Sequence, residues 1–354
     1  MKRIFLAFFI VMGVIALSLV MLNGCTENPT EDGAVVPGVG ISKIYLANMA
    51  DGVYIFDVAK GTVESTVTFE GATKLYGIAL SPDKSKLYAL SDNIFDTSSA
   101  TGEIFSYNLK TGAMGTPLTQ TYTDSNESFG NYILGFSADG SKMYVPMRGK
   151  VGIYTISTNP LAIDKVASIE ESCNGITGGV VPGDGHVYFG NFVLGKIYRY
   201  DIALNTVEAS IILPGSDITW FIRLNPYDDL IYAPSVYGDS IDRINYKTSF
   251  SYKDRYDVTA GGIPIDVSFS NNGWAYASLF GSCSVEVFNY RSGDPVKTIS
   301  ISGVSPNNII IDDVNRRAYV NGYDAPQLLL INTVNNSFIT SYVLPGTTDA
   351  TAYK

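Results

Sequence analysis

A single histidine, His186, stands among 354 residues, and this narrows the available chemistry at once. One imidazole builds neither a His-rich metal site nor a His-based relay with a strand-end nucleophile. No HExxH, GxSxG, CxxC or CxxCH spacing occurs. Zincin, α/β-hydrolase, thiol-redox and c-type haem readings therefore have no support. His186 lies beside Pro182-Gly183-Asp184-Gly185 and reads as an exposed turn residue. The acidic pairs Glu170-Glu171, Asp228-Asp229 and Asp312-Asp313 read as solvated turns. The one metal chemistry left to such residues is a calcium or other divalent ion held by loop carboxylates and carbonyls; no other cofactor is expected. Gly178-Gly179 and Gly261-Gly262 are better explained as tight loops than as phosphate cradles.

More could be offered to a ligand by Asn48, Arg148, Asn191, Phe192, Trp220, Tyr237, Phe280 and Tyr323. Aromatic faces with a few amides and one cation suit the mouth of a site for a sugar, peptide or small polar molecule. Singly, each also fits a packing role. As a set at equivalent places in a repeat, they are the candidate binding residues.

The repeat that positions them is about 44 residues long. Seven short apolar strands carry a tyrosine at Tyr45, Tyr88, Tyr144, Tyr188, Tyr232, Tyr276 and Tyr319, at intervals of 43, 56, 44, 44, 44 and 43. Such a period, with several short strands per unit, predicts a β-propeller with one four-stranded blade per repeat. Lettering the strands A to D from the centre outward, the anchor tyrosine lies in strand B. In the third unit strand A is expected at 132–136, strand B at 142–146, a loop at 147–150, and strand C ending near Tyr154. Turn-forming residues precede strand B, as in Ser81-Pro82-Asp83-Lys84 and Ser270-Asn271-Asn272-Gly273. Strand C ends on an apolar residue followed by Asp or Asn, from Phe56-Asp57 to Ile331-Asn332. The first unit has no strand A of its own, and Asp349–Tyr353 is expected to supply it. That closes the ring and removes exposed sheet edges. The expected fold is thus all-β, a seven-bladed propeller of four-stranded antiparallel blades closed by the C-terminal strand. An open or six-bladed ring is the alternative.

In such a ring the B–C and D–A loops share one face, the loop face; the A–B and C–D turns share the other. From anchor tyrosine to the end of strand C takes 10–12 residues in six units but 19 in the second, through 91–99. A further extension lies at 121–131. Both should project from the loop face on adjacent blades, where binding residues commonly sit. Cys173 and Cys283, 110 residues apart, fall on non-adjacent blades and read as two separate thiols, because a bridge needs Cα atoms within roughly 7 Å.

The segments LSPDKSKLYALSD (80–92), FSADGSKMYVPMRG (136–149), YLAN (45–48) and YVNG (319–322) resemble the YVTN or surface-layer-type propeller repeat of prokaryotic surface and periplasmic proteins. The resemblance covers nearly all of 43–354 and specifies blade construction, not activity. Related propellers include lactone-hydrolysing enzymes, quinoprotein dehydrogenase subunits and surface proteins with no known reaction.

At the other end of the chain, Lys2-Arg3, the apolar run Ile4 to Leu22 and Leu22-Asn23-Gly24-Cys25 resemble a bacterial lipoprotein signal. The resemblance implies cleavage after residue 24 and lipidation of Cys25. An uncleaved membrane anchor is the other reading of an apolar run this long. The organisation expected is signal peptide 1–24, lipidated cysteine and flexible tether 25–42, and propeller 43–354. The chain would sit outside the cytoplasm on a bacterial membrane, most naturally the outer membrane or cell surface.

Net charge is −10, and −12 without Lys2 and Arg3, which disfavours nucleic acid as a partner. Two function classes follow. The first is a lipid-anchored module that binds a surface or periplasmic protein, a glycan or a small ligand on the loop face. The alternative is a lactonase-like hydrolase with a carboxylate and divalent-metal site in the funnel. The lack of catalytic motifs favours the first.

Overall fold

All seven anchor tyrosines are 3% exposed or less; six lie in the second strand of a four-stranded antiparallel sheet, and Tyr144 lies in the long central strand of the third. The structure, a computed structural model, describes residues 40–48, 50–92, 101–122, 128–130, 133–173, 176–191, 194–214, 219 and 221–353. Outside the described residues lie the expected signal 1–24, Cys25, nearly all of the tether, Phe192, Trp220, most of the blade 2 loop and 123–127. So do the side chains of Arg148 and Cys173.

The seven sheets are the seven blades. Blade 1 takes its strand A from the far end of the chain: Thr348–Tyr353 pairs antiparallel with Lys43–Asn48, from Ile44↔Tyr353 to Asn48↔Thr348. This is the closure expected from the sequence. Inner strands are covered by a neighbouring blade on each face, so they read as continuous apolar runs. Leu75–Leu80, strand A of blade 2, is buried at every position. Outer strands have one free edge. Strand D of blade 1, Thr62–Thr68, and of blade 6, Pro295–Ser300, are mostly exposed. Charges such as Glu64 and Lys297 on them oppose edge-to-edge pairing. Apolar clusters form between blades: Val285 and Val287 of blade 6 pack with Ile309, Ala318 and Val320 of blade 7.

The Asp or Asn that ends strand C has a local task. Asp57, Asn108, Asp201, Asn289 and Asn332 each accept, through the side-chain oxygen, a backbone N–H two or three residues on. This Asx geometry starts the C–D turn. The turn then needs a left-handed residue, Gly61 (φ 67°) in blade 1 and Asn336 (φ 54°) in blade 7. In six blades the C–D register shifts just before the terminal apolar residue, as between Ile55 and Phe56 or Val287 and Phe288. A bulge at a fixed rung adds twist, which lets successive blades fan around one axis.

Blade 3 departs from the template. Its strand A is split into Ser128–Phe129 and Gly135–Phe136, which pair with separate parts of one long strand, Lys142–Thr158. The expected loop 147–150 is therefore part of that strand, and strand C runs on to Thr158. Thr158 N–H donates to the Ser141 carbonyl at 3.0 Å, so the two ends of the strand lie side by side. Strand D, Leu161–Cys173, is 13 residues long against 6 or 7 in blades 1 and 4–7. Its last residues pair with Gly149 and Lys150 and raise a wall at the loop face.

Candidate functional site

The loop face is stitched by backbone and carboxylate bonds. In the B–C loop of blade 5, Asp239 accepts from Gly261 N–H at 2.8 Å and Ile263 N–H at 3.3 Å. Those donors belong to the D–A loop entering blade 6. In the B–C loop of blade 7, Asp324 accepts from Ser305 N–H and Ser305 Oγ–H, both at 2.8 Å. Gly281 and Phe280 N–H donate to the carbonyls of Gly262 and Ile263, and Tyr323 N–H to that of Ser305. In blades 5–7 each B–C loop is thereby tied to the D–A loop beside it.

On this platform Phe280 and Tyr323 meet edge to face, with ring centroids 5.6 Å apart, and Tyr237 is 45% exposed. Edge-to-face rings hold each other's orientation, so the pair is a fixed apolar feature. Of these three sequence-proposed residues, Tyr237 is exposed, while Phe280 and Tyr323 are half-buried against the core beneath. Asn48 and Asn191 serve another purpose. Asn48 Oδ1 accepts from Ala50 and Gly52 N–H at 3.0 and 2.9 Å. Asn191, fully buried, accepts from Leu194 N–H at 3.1 Å. Both close the B–C turn. Cys283 is a free thiol, its Sγ 4.0 Å from Ser305 Oγ.

Beneath the loops a buried polar belt joins four innermost strands. Arg223, in strand A of blade 5 (Arg223–Asn225), forks onto Asp266 of blade 6 through Nε at 2.7 Å and Nη2 at 2.9 Å. Asp266, in strand A (Pro264–Phe269), is fully buried and also accepts from Val267 N–H, Ile309 N–H and Asn308 Nδ2. Asn321 Oδ1 takes Asn308 N–H at 2.9 Å, and Asn321 Nδ2 donates to the Thr348 carbonyl at 3.2 Å. A bidentate guanidinium–carboxylate pair sets orientation as well as energy. Sequence reading missed it; its signal is a lone Asp inside an otherwise apolar inner strand, Pro-Ile-Asp-Val-Ser-Phe.

Of the acidic pairs, Asp229 is an exposed turn residue as expected, 2.7 Å from Lys247, but Asp228, Asp312, Asp313 and Glu171 are not solvated turns. Asp228, pushed up by burial, accepts from the Tyr232 hydroxyl at 2.6 Å. Asp313 takes Tyr227 Oη–H at 2.8 Å and Ser270 Oγ–H at 2.5 Å. Asp312 accepts from Ile41 N–H at 3.1 Å. Glu171 lies in the blade 3 wall and joins it to blade 4, accepting from Tyr198 Oη–H at 2.5 Å and pairing with Lys196. Burial pushes the Glu171 pKa up, but the Lys196 and Tyr198 hydrogen bonds outweigh it and leave it lowered. The common cause is that buried tyrosine hydroxyls need acceptors, and nearby carboxylates supply them. His186 is likewise no exposed turn residue. It opens strand B of blade 4 and is half-buried among Asp184, Asp201 and Glu208.

Two further carboxylates occupy equivalent rungs, third in strand C. Glu286 of blade 6 accepts from Tyr256 Oη–H at 2.5 Å, Thr259 N–H at 3.0 Å and Thr259 Oγ1–H at 2.8 Å. It borders a cleft of about 480 Å³ between blades 5 and 6, with Arg243, Arg255 and Asp257 among its other lining residues. Asp242 of blade 5 is fully buried, and neither carboxylate oxygen has a hydrogen-bond partner. Burial pushes its pKa up to about 7, against a smaller pull from Arg255. Arg255 is itself engaged by Asp257 at 2.9 Å.

No protein-family model matches the chain, and no curated protein matches it in sequence. Solved propellers match in structure. A functionally unknown protein from Desulfotomaculum acetoxidans superposes with a TM-score of 0.70 at 12% identity, over 88% of this chain and 98% of that one. The β-propeller domain of Myceliophteria thermophila Cps50 (Swd1) gives 0.66 at 9% identity, over 82% and 93%. A catalytically inactive virginiamycin B lyase from Staphylococcus aureus, with quinupristin, gives 0.60 at 16% identity, over 77% and 84%. At these identities the likeness establishes the fold alone.

Proposed function

We propose that the chain is a binding module whose ligand docks on the loop face, across Tyr237 and the Phe280–Tyr323 pair. The observation that carries this reading is the stitching of that face. Exposed Tyr237 and the half-buried Phe280–Tyr323 pair, on loops tied by Asp239 and Asp324, are pre-ordered, and pre-ordering removes part of the entropy lost on binding. A surface or periplasmic protein, or a glycan, is the ligand class such a face suits. Lipidation at Cys25 would tether the propeller to the outside of a bacterial membrane, in keeping with the YVTN-like repeat. The hydrolase alternative has less to stand on. It needs a free carboxylate at the centre of the ring, and both oxygens of Asp266 are already taken by Arg223 and by backbone N–H groups.

The test pairs wild type with Tyr237→Ala/Tyr323→Ala, both as the full lipidated chain. Each is incubated with solubilised peptidoglycan fragments, surface polysaccharide and a cross-linked envelope protein fraction. At least a tenfold loss of capture at unchanged melting temperature is expected of the variant. Equal capture by both forms would remove the loop face as the docking surface. Separately, Cys25→Ser should shift the protein from the membrane to the soluble fraction; continued membrane association would remove the lipid tether.

A further inference from the structure

In six blades strand B begins opposite the last residue of strand C. In blade 1 that rung is Lys43↔Asp57; in blade 4 it is His186↔Asp201. The third residue of strand D completes both sets, Glu64 in blade 1 and Glu208 in blade 4. Lys43 Nζ sits 2.8 Å from Asp57 Oδ2 and 2.5 Å from Glu64 Oε2, with Lys60 Nζ at 3.2 and 3.7 Å from the same two oxygens. Two ammonium groups face two carboxylates, and the seat is neutral. Blade 3 repeats the device, with Lys142 Nζ 2.9 Å from Asp164. The turn face of the fold therefore carries a cation seat between the ends of strands B and C and strand D.

Blade 4 keeps the carboxylates and lacks the ammonium. His186 Nε2 lies 3.3 Å from Glu208 Oε1 and 3.9 Å from Asp201 Oδ2, and Nδ1 lies 3.5 Å from Asp184 Oδ2. The one fixed positive charge in the set is Arg199, paired with Glu208. Three carboxylates face one guanidinium, so with a neutral imidazole the seat is two positive charges short of balance.

We propose that this seat binds one divalent transition metal ion of the zinc class, through His186 Nε2, Asp201 and Glu208. The three ligand atoms lie within 4.8 Å of one another. Tetrahedral bonds of ~2.0–2.1 Å place ligand atoms about 3.3–3.4 Å apart, close to the His186–Glu208 separation. An ion bound at Nε2 requires the proton on Nδ1. That nitrogen is buried without a hydrogen-bond partner, and Asp184 is the carboxylate beside it. Asp184 is itself held by Tyr188 Oη–H at 2.8 Å and His186 N–H at 3.1 Å. A carboxylate behind the imidazole is the usual outer support of a metal-bound histidine. One nitrogen with two carboxylates suits zinc, cobalt or manganese, whereas calcium takes oxygen ligands throughout. A dication also restores the missing charge. Arg199, which lies over the Phe250 ring at 5.3 Å, keeps that stacking seat while Glu208 turns an oxygen to the ion. The site is on the turn face, opposite the docking surface proposed above, and the two stand or fall separately.

The experiment uses the full-length protein stripped with chelator and titrated with zinc chloride at pH 7.5 in a calorimeter. Wild type is expected to take up one equivalent at this seat, with a rise in melting temperature by mass action. His186→Lys, which restores the blade 1 arrangement, should keep the melting temperature of the stripped protein and lose that uptake at least tenfold. Glu208→Gln should weaken it similarly. No uptake by wild type, or uptake undiminished in His186→Lys, would overturn the proposal. No uptake together with a wild-type stability gain as pH falls through the imidazole range, absent from His186→Lys, would overturn it and give the seat to a proton.

Discussion

Blades 5 and 6 place an acid on the same rung of strand C, and only one of the two is satisfied. Glu286 pairs across to Ala277 and Thr298, Asp242 to Ala233 and Arg255. Glu286 draws its hydrogen bonds from the preceding blade, from Tyr256 in strand D and Thr259 just after it. Equivalent register in blade 4 puts Ile211 where Tyr256 stands, since Ile197↔Ile211 matches Ile241↔Tyr256. Three residues further on, Pro214 takes the place of Thr259. Isoleucine has no hydroxyl and proline no N–H. Asp242 is therefore left without either donor, and its raised pKa follows. A blade template fixes where a side chain points; the neighbouring blade decides whether it is satisfied there.

The largest effect should come from breaking the satisfied member. Glu286→Leu strands the Tyr256 hydroxyl and the Thr259 donors in a buried seam, and loss of about 3–5 kcal/mol is expected in urea unfolding. A loss below ~1 kcal/mol would show that Glu286 is not a structural acceptor. Removing the unsatisfied member should do the reverse. Its folded pKa, about 7, lies above the ordinary carboxylate value. The ionised form is thus penalised in the fold. The penalty is absent below the unfolded pKa, grows as pH rises toward 7, and is constant above it. Asp242→Asn should then exceed wild type in stability by roughly 2–4 kcal/mol at pH 8, and the difference should vanish near pH 4. A pH-independent difference would refute the buried-acid account.

Supplying the missing donors sharpens the comparison further. Ile211→Tyr/Pro214→Thr copies blade 5 into blade 4 and should lower the Asp242 pKa. A gain of about 1–2 kcal/mol is expected at pH 8, and none in an Asp242→Asn background. The smallest change is Tyr256→Phe, which deletes one donor to Glu286 and leaves two. A loss of about 1 kcal/mol is expected, well short of that for Glu286→Leu. Equal losses would mean that the hydroxyl alone carries the interaction.

Most of the architecture was legible because it repeats. The anchor tyrosines, the apolar-Asp/Asn ending of strand C and the surplus strand at the carboxyl end each state a local or periodic rule, and the fold obeys them. Reading failed where one blade breaks the rule or where two blades meet. The continuous strand Lys142–Thr158 has no signal in a turn-like Met147-Arg148-Gly149-Lys150. Asp228, Asp312 and Asp313 look like solvent-facing turns until the tyrosine or backbone N–H that needs them is known. Arg223 and Asp266 lie 43 residues apart, one blade apart in space. Of the candidate loop residues, Tyr237 is exposed, Phe280 and Tyr323 lie half-buried against the core, and the amides Asn48 and Asn191 went to turn closure.

The sequence alone determined the number of blades, the rung of each anchor and the closure of the ring. These follow from hydrophobic period and turn chemistry, which act over a few residues and recur. Only the tertiary structure decided which charges are paired. Two carboxylates with the same local sequence logic, Glu286 and Asp242, differ because a partner some 30 residues away is tyrosine in one case and isoleucine in the other. The same holds for Lys43 and His186, which occupy one position in the blade and meet different charges. Electrostatic fate depends on distance through space and on burial, and neither is written along the chain.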